Sequence, residues 1–377
     1  MTTIQSDHDI QMVICIVKDA LLHRLGDEVE LIFQYGSHVR GNAHQYSDVD
    51  ISYVPAHEST WESITVMVGE TLLDLYPMHW SKLERMADFR DPSASVLLHH
   101  RILYQRTEAT GQRFQALASR LQALLQPAEQ AGMLRTAMEI FDSSAHDYYL
   151  LRLQVNAGSQ QGCWHHSQAI LRTILHCLAV CNQACIDTRK IEQVLALPEL
   201  PPGFEESVNQ FLSATGPADL LAAVDAVLHT TRGFLLSRQQ QTLRQETSFP
   251  VEFEAGYPEL KRDLQGVMRA CESQELFALR TSLLSLLREM SLGISKVMTG
   301  IEYSGFNSLA EYEQNLAALG FPPLLAYAAA GDFAGLYRQC LAFDQRLKEF
   351  LTERSIPLNT FATLQELQKI RDGNDRG

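Results

Sequence analysis

The stretch that decides the fold covers residues 35–54, Tyr35-Gly-Ser-His-Val-Arg-Gly-Asn-Ala-His-Gln-Tyr-Ser-Asp-Val-Asp-Ile-Ser-Tyr-Val54. The β-branched and aromatic residues from Val29 to Tyr35 predict a strand that ends at Gly36. Glycine tolerates unusual dihedral angles and allows a close approach to the backbone. Successive N–H groups of such a turn can hold an anion, and the hydroxyl of Ser37 adds a donor. The sequence therefore predicts a phosphate-binding turn directly after a strand.

Acidic residues follow at a spacing that suits a metal ion. Residues 48–54 alternate as a second strand, so Asp48 and Asp50 point to one face. A pair of carboxylates on one strand suits Mg²⁺, which binds through one or two protein carboxylates plus substrate phosphates. Asp74 lies in the apolar segment Leu72–Tyr76, a third predicted strand, where an unpaired charge is costly. It is either a third metal ligand or a strand-edge aspartate that pairs with an arginine.

Gly-Ser, a gap of about ten residues and Asp-x-Asp together resemble the signature of the nucleotidyltransferase superfamily. Within it, the chain is most similar to the aminoglycoside nucleotidyltransferases of the kanamycin type, over roughly residues 28–236. The resemblance implies an α+β chain. Its N-terminal nucleotidyltransferase-type mixed β-sheet has flanking helices and is followed by all-α helical bundles. It also implies an acidic residue on a neighbouring strand, which agrees with Asp74 as a metal ligand.

The resemblance assigns further roles by position. Arg40 stands where these enzymes have an arginine, and with Gly36 and Ser37 it would bind the nucleotide phosphates. Asp142 aligns with the general base that takes the proton of the acceptor hydroxyl, and Glu139 is the fallback. His146 replaces a phosphate-contacting lysine, a departure because the charge of histidine is conditional near neutral pH.

The apolar pattern divides the chain into three predicted domains. Residues 1–111 form the domain that binds the nucleoside triphosphate and Mg²⁺, with an amphipathic helix over 10–25 and a helix from Trp61 to Glu70. Residues 112–240 form a helical substrate-binding bundle, and 241–377 form a second bundle. The connector is expected over residues 239–256. Leu171-Arg-Thr173 and Leu279-Arg-Thr281 each precede a Pro-Pro pair, which leaves open that the second bundle is a diverged duplicate of the first.

The charge composition of the chain limits the classes of molecule that we expect it to bind. The formal charge of −14 over 377 residues argues against a general nucleic-acid binder, which needs a basic surface. An acidic protein suits a small cationic acceptor.

The polar N-terminus does not resemble a signal peptide, and no apolar run reaches about 18 residues. We therefore expect a cytoplasmic protein that does not enter the membrane, as a monomer or a homodimer.

The expected function is an enzyme that transfers a nucleoside monophosphate to a hydroxyl with Mg²⁺ and releases pyrophosphate. By the resemblance, the donor is ATP and the acceptor is an aminoglycoside-like antibiotic, so the reaction would confer antibiotic resistance. Two alternatives remain open. One is nucleotidylation of a protein or RNA partner, as in antitoxin-like enzymes. The other is a non-catalytic nucleotide-binding protein whose helical tail binds a partner.

Overall fold

The computed structural model describes residues 7–41, 43–44, 47–57, 62–254, 256–301, 309–364 and 366. The chain divides into two compact units, residues 1–235 and 236–377. Each unit has its own hydrophobic core.

The first unit begins with a mixed sheet of five strands. The strands are β1 Val29–Tyr35, β2 Val49–Pro55, β3 Ile64–Val68, β4 Thr71–Pro77 and β5 Arg101–Gln105. They lie in the order β3-β4-β2-β1-β5, in which β2 and β4 are parallel and the other pairs are antiparallel. A mixed sheet followed by helices confirms the predicted α+β class.

One predicted helix is wrong. The segment from Trp61 to Glu70 was expected to be helical, but it contains β3 and a tight turn that returns the chain into β4. Three aliphatic residues, Ile64, Val66 and Val68, alternate with more exposed ones, and this period of two is that of a strand. Gly69 supplies the positive φ of the turn, +63°. Trp61 itself lies outside the described residues.

Helices flank the sheet, and the elements described after β5 in the first unit are all helices. They are α1 Asp7–Leu25, α2 Ser37–Arg40, α3 Trp80–Ala87, α4 Ser95–Leu98, α5 Glu108–Leu124, α6 Gln130–Asn156, α7 Gln160–Cys181, α8 Ile191–Leu195, α9 Phe204–Ser213 and α10 Pro217–Thr242. The apolar face of α1 packs on the sheet through Ile14, Val17 and Leu21. This is the amphipathic helix that the spacing predicts. Helices α6 to α10 build a separate core around residues such as Ile174, Phe204 and Val224.

Among the described helices, α10 alone is long and apolar enough to cross a membrane by length and composition. Core helices of bundles pass the same test, and α10 contributes Leu220, Ala223, Val224 and Val227 to the core of the first unit. These four residues are accounted for by packing, and a single apolar helix of this kind does not identify a membrane protein.

The regular elements described in the second unit are all helices. The unit contains α11 Phe249–Glu252, α12 Gly256–Ser273, α13 Leu276–Thr299, α14 Leu309–Ala318, α15 Leu324–Ala329 and α16 Phe333–Thr352. The expected connector over residues 239–256 is partly helical, because α10 extends to Thr242 and α11 occupies 249–252.

A charged cluster lies in this second bundle. Asp344 is 8% exposed and binds Lys261 at 2.8 Å, Lys348 at 3.0 Å and the Tyr257 hydroxyl at 3.1 Å. Burial would raise the pKa of Asp344, but the hydrogen bonds from the two lysines outweigh it and lower that pKa. The carboxylate therefore stays ionised and joins α16 to α12.

Candidate functional site

The turn after β1 has the shape that the sequence predicts. Gly36 has φ +86° and ψ −160° and precedes the single helical turn α2, whose Arg40 N–H donates to the Gly36 carbonyl at 3.2 Å. A Cβ built on Gly36 would lie 2.1 Å from Oδ2 of Asp50. Glycine is thus required twice, by its dihedral angles and by the carboxylate that lies against it.

Sheet register brings two of the predicted metal ligands together. Asp50 in β2 lies directly opposite Tyr35 of β1 on one side and Asp74 of β4 on the other. Asp48 lies one residue before β2 and is exposed. Parallel neighbours at the same register present their side chains to the same face, so Asp50 and Asp74 face one side of the sheet.

The surroundings of Asp50 make its negative charge costly. Burial raises its pKa to about 6, with further upward contributions from Asp48 and Asp74, while Arg189 and Arg40 oppose the shift. A cation near Asp50 would remove this repulsion. Such a carboxylate is a chemically suitable ligand for Mg²⁺.

The three aspartates do not form a complete metal site by themselves. Within the described residues, no group of three or more His, Cys, Asp or Glu side chains is arranged to hold a metal ion. One oxygen of Asp74 accepts a hydrogen bond from the Thr65 hydroxyl at 2.8 Å. Mg²⁺ needs only one or two protein carboxylates when phosphates and water complete its shell, so the residues fit a metal that arrives with a nucleotide.

A cleft of about 330 Å³ opens beside these groups. The sheet side contributes Gly36, Arg40 and Asp50, together with the rings of Tyr35 and Tyr76. This volume lies within the range of small-ligand sites. The predicted turn, the predicted arginine and one predicted metal ligand therefore share one cavity.

Two tyrosines form part of the lining. The hydroxyls of Tyr35 and Tyr76 are hydrogen-bonded to each other, and their rings pack edge to face. Burial and the neighbouring Tyr76 raise the pKa of Tyr35, and Asp50 adds to the shift. The Tyr35 hydroxyl can therefore serve the cleft as a neutral hydrogen-bonding group.

Sequence reasoning missed the basic residues that the helical part adds to this cleft. Arg172 of α7 and the segment 187–189 between α7 and α8 line it. Arg189 donates to both oxygens of Asp187, from Nε at 2.9 Å and from Nη2 at 3.0 Å. These hydrogen bonds lower the pKa of Asp187 and raise that of Arg189. The signal available for Arg172 was a charge inside the apolar run 170–175. The pair at 187–189 had none, since it lies in an ordinary polar loop.

The predicted base and its neighbours lie on α6. Asp142 is exposed, although partial burial of its carboxyl and the nearby Glu139 raise its pKa. Glu139 forms an ion pair with Arg90 at 2.6 Å. The described lining of the cleft includes neither Asp142 nor the exposed His146. Their assignments as base and phosphate contact stay predictions.

Comparisons with known proteins add little. No family model matches the chain, and no curated protein matches it in sequence. Among solved structures, the chain is similar to a nucleotidyltransferase-like protein from Exiguobacterium sibiricum 255-15. The two share 12% sequence identity, and the match covers 82% of this chain and 91% of that one at a TM-score of 0.36. A likeness this distant carries no information about the site.

Proposed function

We propose that this protein is a Mg²⁺-dependent nucleotidyltransferase that moves a nucleoside monophosphate, AMP from ATP, to a hydroxyl and releases pyrophosphate. The observation behind the proposal is the position of Asp50. It lies against the Gly36 turn, directly opposite Asp74, and lines a cleft large enough for a small ligand. A turn that can hold phosphates beside carboxylates that can hold Mg²⁺ suits phosphoryl or nucleotidyl transfer.

The position of each residue in the site suggests its role in binding the nucleotide or the metal. Gly36 and the N–H groups at the start of α2 receive the phosphates, helped by the Ser37 hydroxyl. Arg40 supplies a permanent positive charge that orients the triphosphate. Asp48, Asp50 and Asp74 would hold Mg²⁺, which supplies neutralisation of phosphate charge when it is bound.

The acceptor hydroxyl must lose its proton as it attacks the α-phosphorus. Asp142 is the proposed base, supported by partial burial and the nearby Glu139, which raise its pKa above the ordinary value and make the carboxylate a stronger proton acceptor. Glu139 is the less suitable alternative because Arg90 already engages its carboxylate. The expected acceptor is small and bears a hydroxyl, with aminoglycosides as the first class to examine. Antibiotic resistance would follow if such an acceptor were modified.

The test is pyrophosphate release from each of the four nucleoside triphosphates with Mg²⁺. The acceptor panel should hold aminoglycosides, lincosamides and phosphorylated sugars. We expect ATP-dependent release with at least one acceptor and at least a thousandfold loss in Asp50→Asn. The matched control is Asp19→Asn, because Asp19 lies on α1 with a side chain that is 71% exposed. Full activity in Asp50→Asn would refute the metal assignment.

A further inference from the structure

We propose that Arg172 and Arg189 form an anion-binding subsite in the cleft, which takes a phosphate group. The inference rests on the proposed function for the identity of the ligand, but the subsite itself is read from charge and geometry. Two sources of phosphate are compatible with it. One is the triphosphate tail of the nucleotide, and the other is a phosphate group on the acceptor.

Arginine is concentrated in the lining of the cleft. Among the described residues its lining has three arginines, Arg40, Arg172 and Arg189, and two carboxylates, Asp50 and Asp187. The further carboxylates Asp48 and Asp74 act on Asp50. Asp187 is already paired with Arg189. The chain as a whole has a formal charge of −14, so this concentration of arginine is a local feature of the cavity. Guanidinium groups concentrated in a cleft attract an anion.

Arg189 is oriented for a ligand. Asp187 engages Nε and Nη2, an arrangement that fixes the plane of the guanidinium. In the described part of the chain this pair leaves the Nη1 group able to donate to a bound oxygen. The side chain of Arg189 is 82% exposed, so the guanidinium is accessible from the cleft. A guanidinium that is fixed in this way and accessible through Nη1 can donate to an oxygen of a bound phosphate.

The position of Arg189 also links the subsite to the carboxylates. Arg189 and Asp50 line the same cleft. A group bound at Arg189 therefore lies within electrostatic reach of the predicted metal ligands. This places the phosphate near the reacting centre, as either a nucleotide or an acceptor phosphate requires.

The test measures equilibrium binding of tripolyphosphate and of inorganic phosphate by calorimetry at low salt and pH 8. The variants are Arg172→Gln, Arg189→Gln and the double variant, with Arg135→Gln as the control. Arg135 is an exposed arginine of α6 outside the described lining of the cleft. We expect the double variant to bind tripolyphosphate at least tenfold more weakly, since charge-assisted hydrogen bonds are lost. The control should stay within twofold of wild type.

Two further measurements distinguish the sources. If the subsite holds the nucleotide tail, the double variant also loses at least tenfold in affinity for a non-hydrolysable ATP analogue. If the subsite holds a phosphate of the acceptor, the double variant keeps its affinity for the ATP analogue. Inorganic phosphate then no longer binds to the double variant that is saturated with the analogue. Either result supports an anion subsite. The inference is overturned if wild type binds neither anion, or if the double variant binds both within twofold of wild type.

The variant Asp187→Asn distinguishes two effects of Asp187, which orients the guanidinium of Arg189 and also adds a negative charge to the cleft. Removing a negative charge beside an anion site strengthens binding if charge alone matters, whereas losing the bidentate partner of Arg189 weakens it. We expect weaker tripolyphosphate binding. Stronger binding would contradict the orienting role. Because these assays need no turnover, anion binding that depends on Arg172 and Arg189 in a protein without transferase activity would refute the proposed function and leave the subsite intact.

Discussion

Asp50→Asn should make the first unit more stable at pH 8 while it removes activity. The pKa of Asp50 is raised from its ordinary 3.8 to about 6 by burial and by Asp48 and Asp74. Between these values the folded state binds more protons than the unfolded state, so stability falls as pH rises from about 4 to about 6. Above that window the ionised carboxylate destabilises the wild type, and asparagine removes the effect.

The magnitude follows from the pKa shift. A shift of about two units corresponds to about 3 kcal/mol, since one unit is about 1.4 kcal/mol. Asp50 is only partly buried, and solvent screening reduces this to about 1–2 kcal/mol at pH 8. The difference between variant and wild type should shrink to near zero at pH 4.

Urea unfolding followed by tryptophan fluorescence measures this effect on the full chain. The three tryptophans, Trp61, Trp80 and Trp164, all belong to the first unit, so the signal reports on that unit. Asp19→Asn is the control and should show no comparable gain between pH 4 and 8. Millimolar Mg²⁺ should stabilise the wild type and not the variant. A variant no more stable than wild type at pH 8, or a gain independent of pH, would refute the reasoning.

Three further changes test separate parts of the structure. Gly36→Ala should destabilise the first unit by about 1–3 kcal/mol, because alanine disfavours φ of +86° and its Cβ would collide with Asp50; unchanged urea midpoints would contradict the turn geometry. Asp74→Asn should raise the Mg²⁺ concentration for half-maximal pyrophosphate release at least fivefold, whereas an unchanged Mg²⁺ requirement would leave Asp74 only its bond to Thr65. Asp344→Ala should destabilise the second unit by about 2–4 kcal/mol, since two lysines lose a buried partner. Circular dichroism measures that loss, and an unchanged melting temperature would show that the cluster contributes nothing.

Local patterns determined the parts of the site that lie close together in the chain. The alternation of residues 48–54 and the apolar run before Gly36 were enough to predict β1, β2 and the turn between them. They succeeded because strand period and glycine dihedrals are local properties. The same kind of reading failed at residues 64–68, where a five-residue strand was taken for helix. Short apolar segments fit both periods, and pairing with β4 decided between them.

The long-range features were decided by the tertiary structure. Sequence alone could nominate Asp74, but only the parallel register of β2 and β4 places it directly opposite Asp50. Nothing local distinguishes Arg189 from any other loop arginine, because its proximity to the carboxylates depends on how residues 187–189 fold back toward the sheet. The sequence by itself determined a phosphate turn with an acidic strand beside it. The tertiary structure decided the charge of the cleft around them, because that charge is summed over residues that meet only in space.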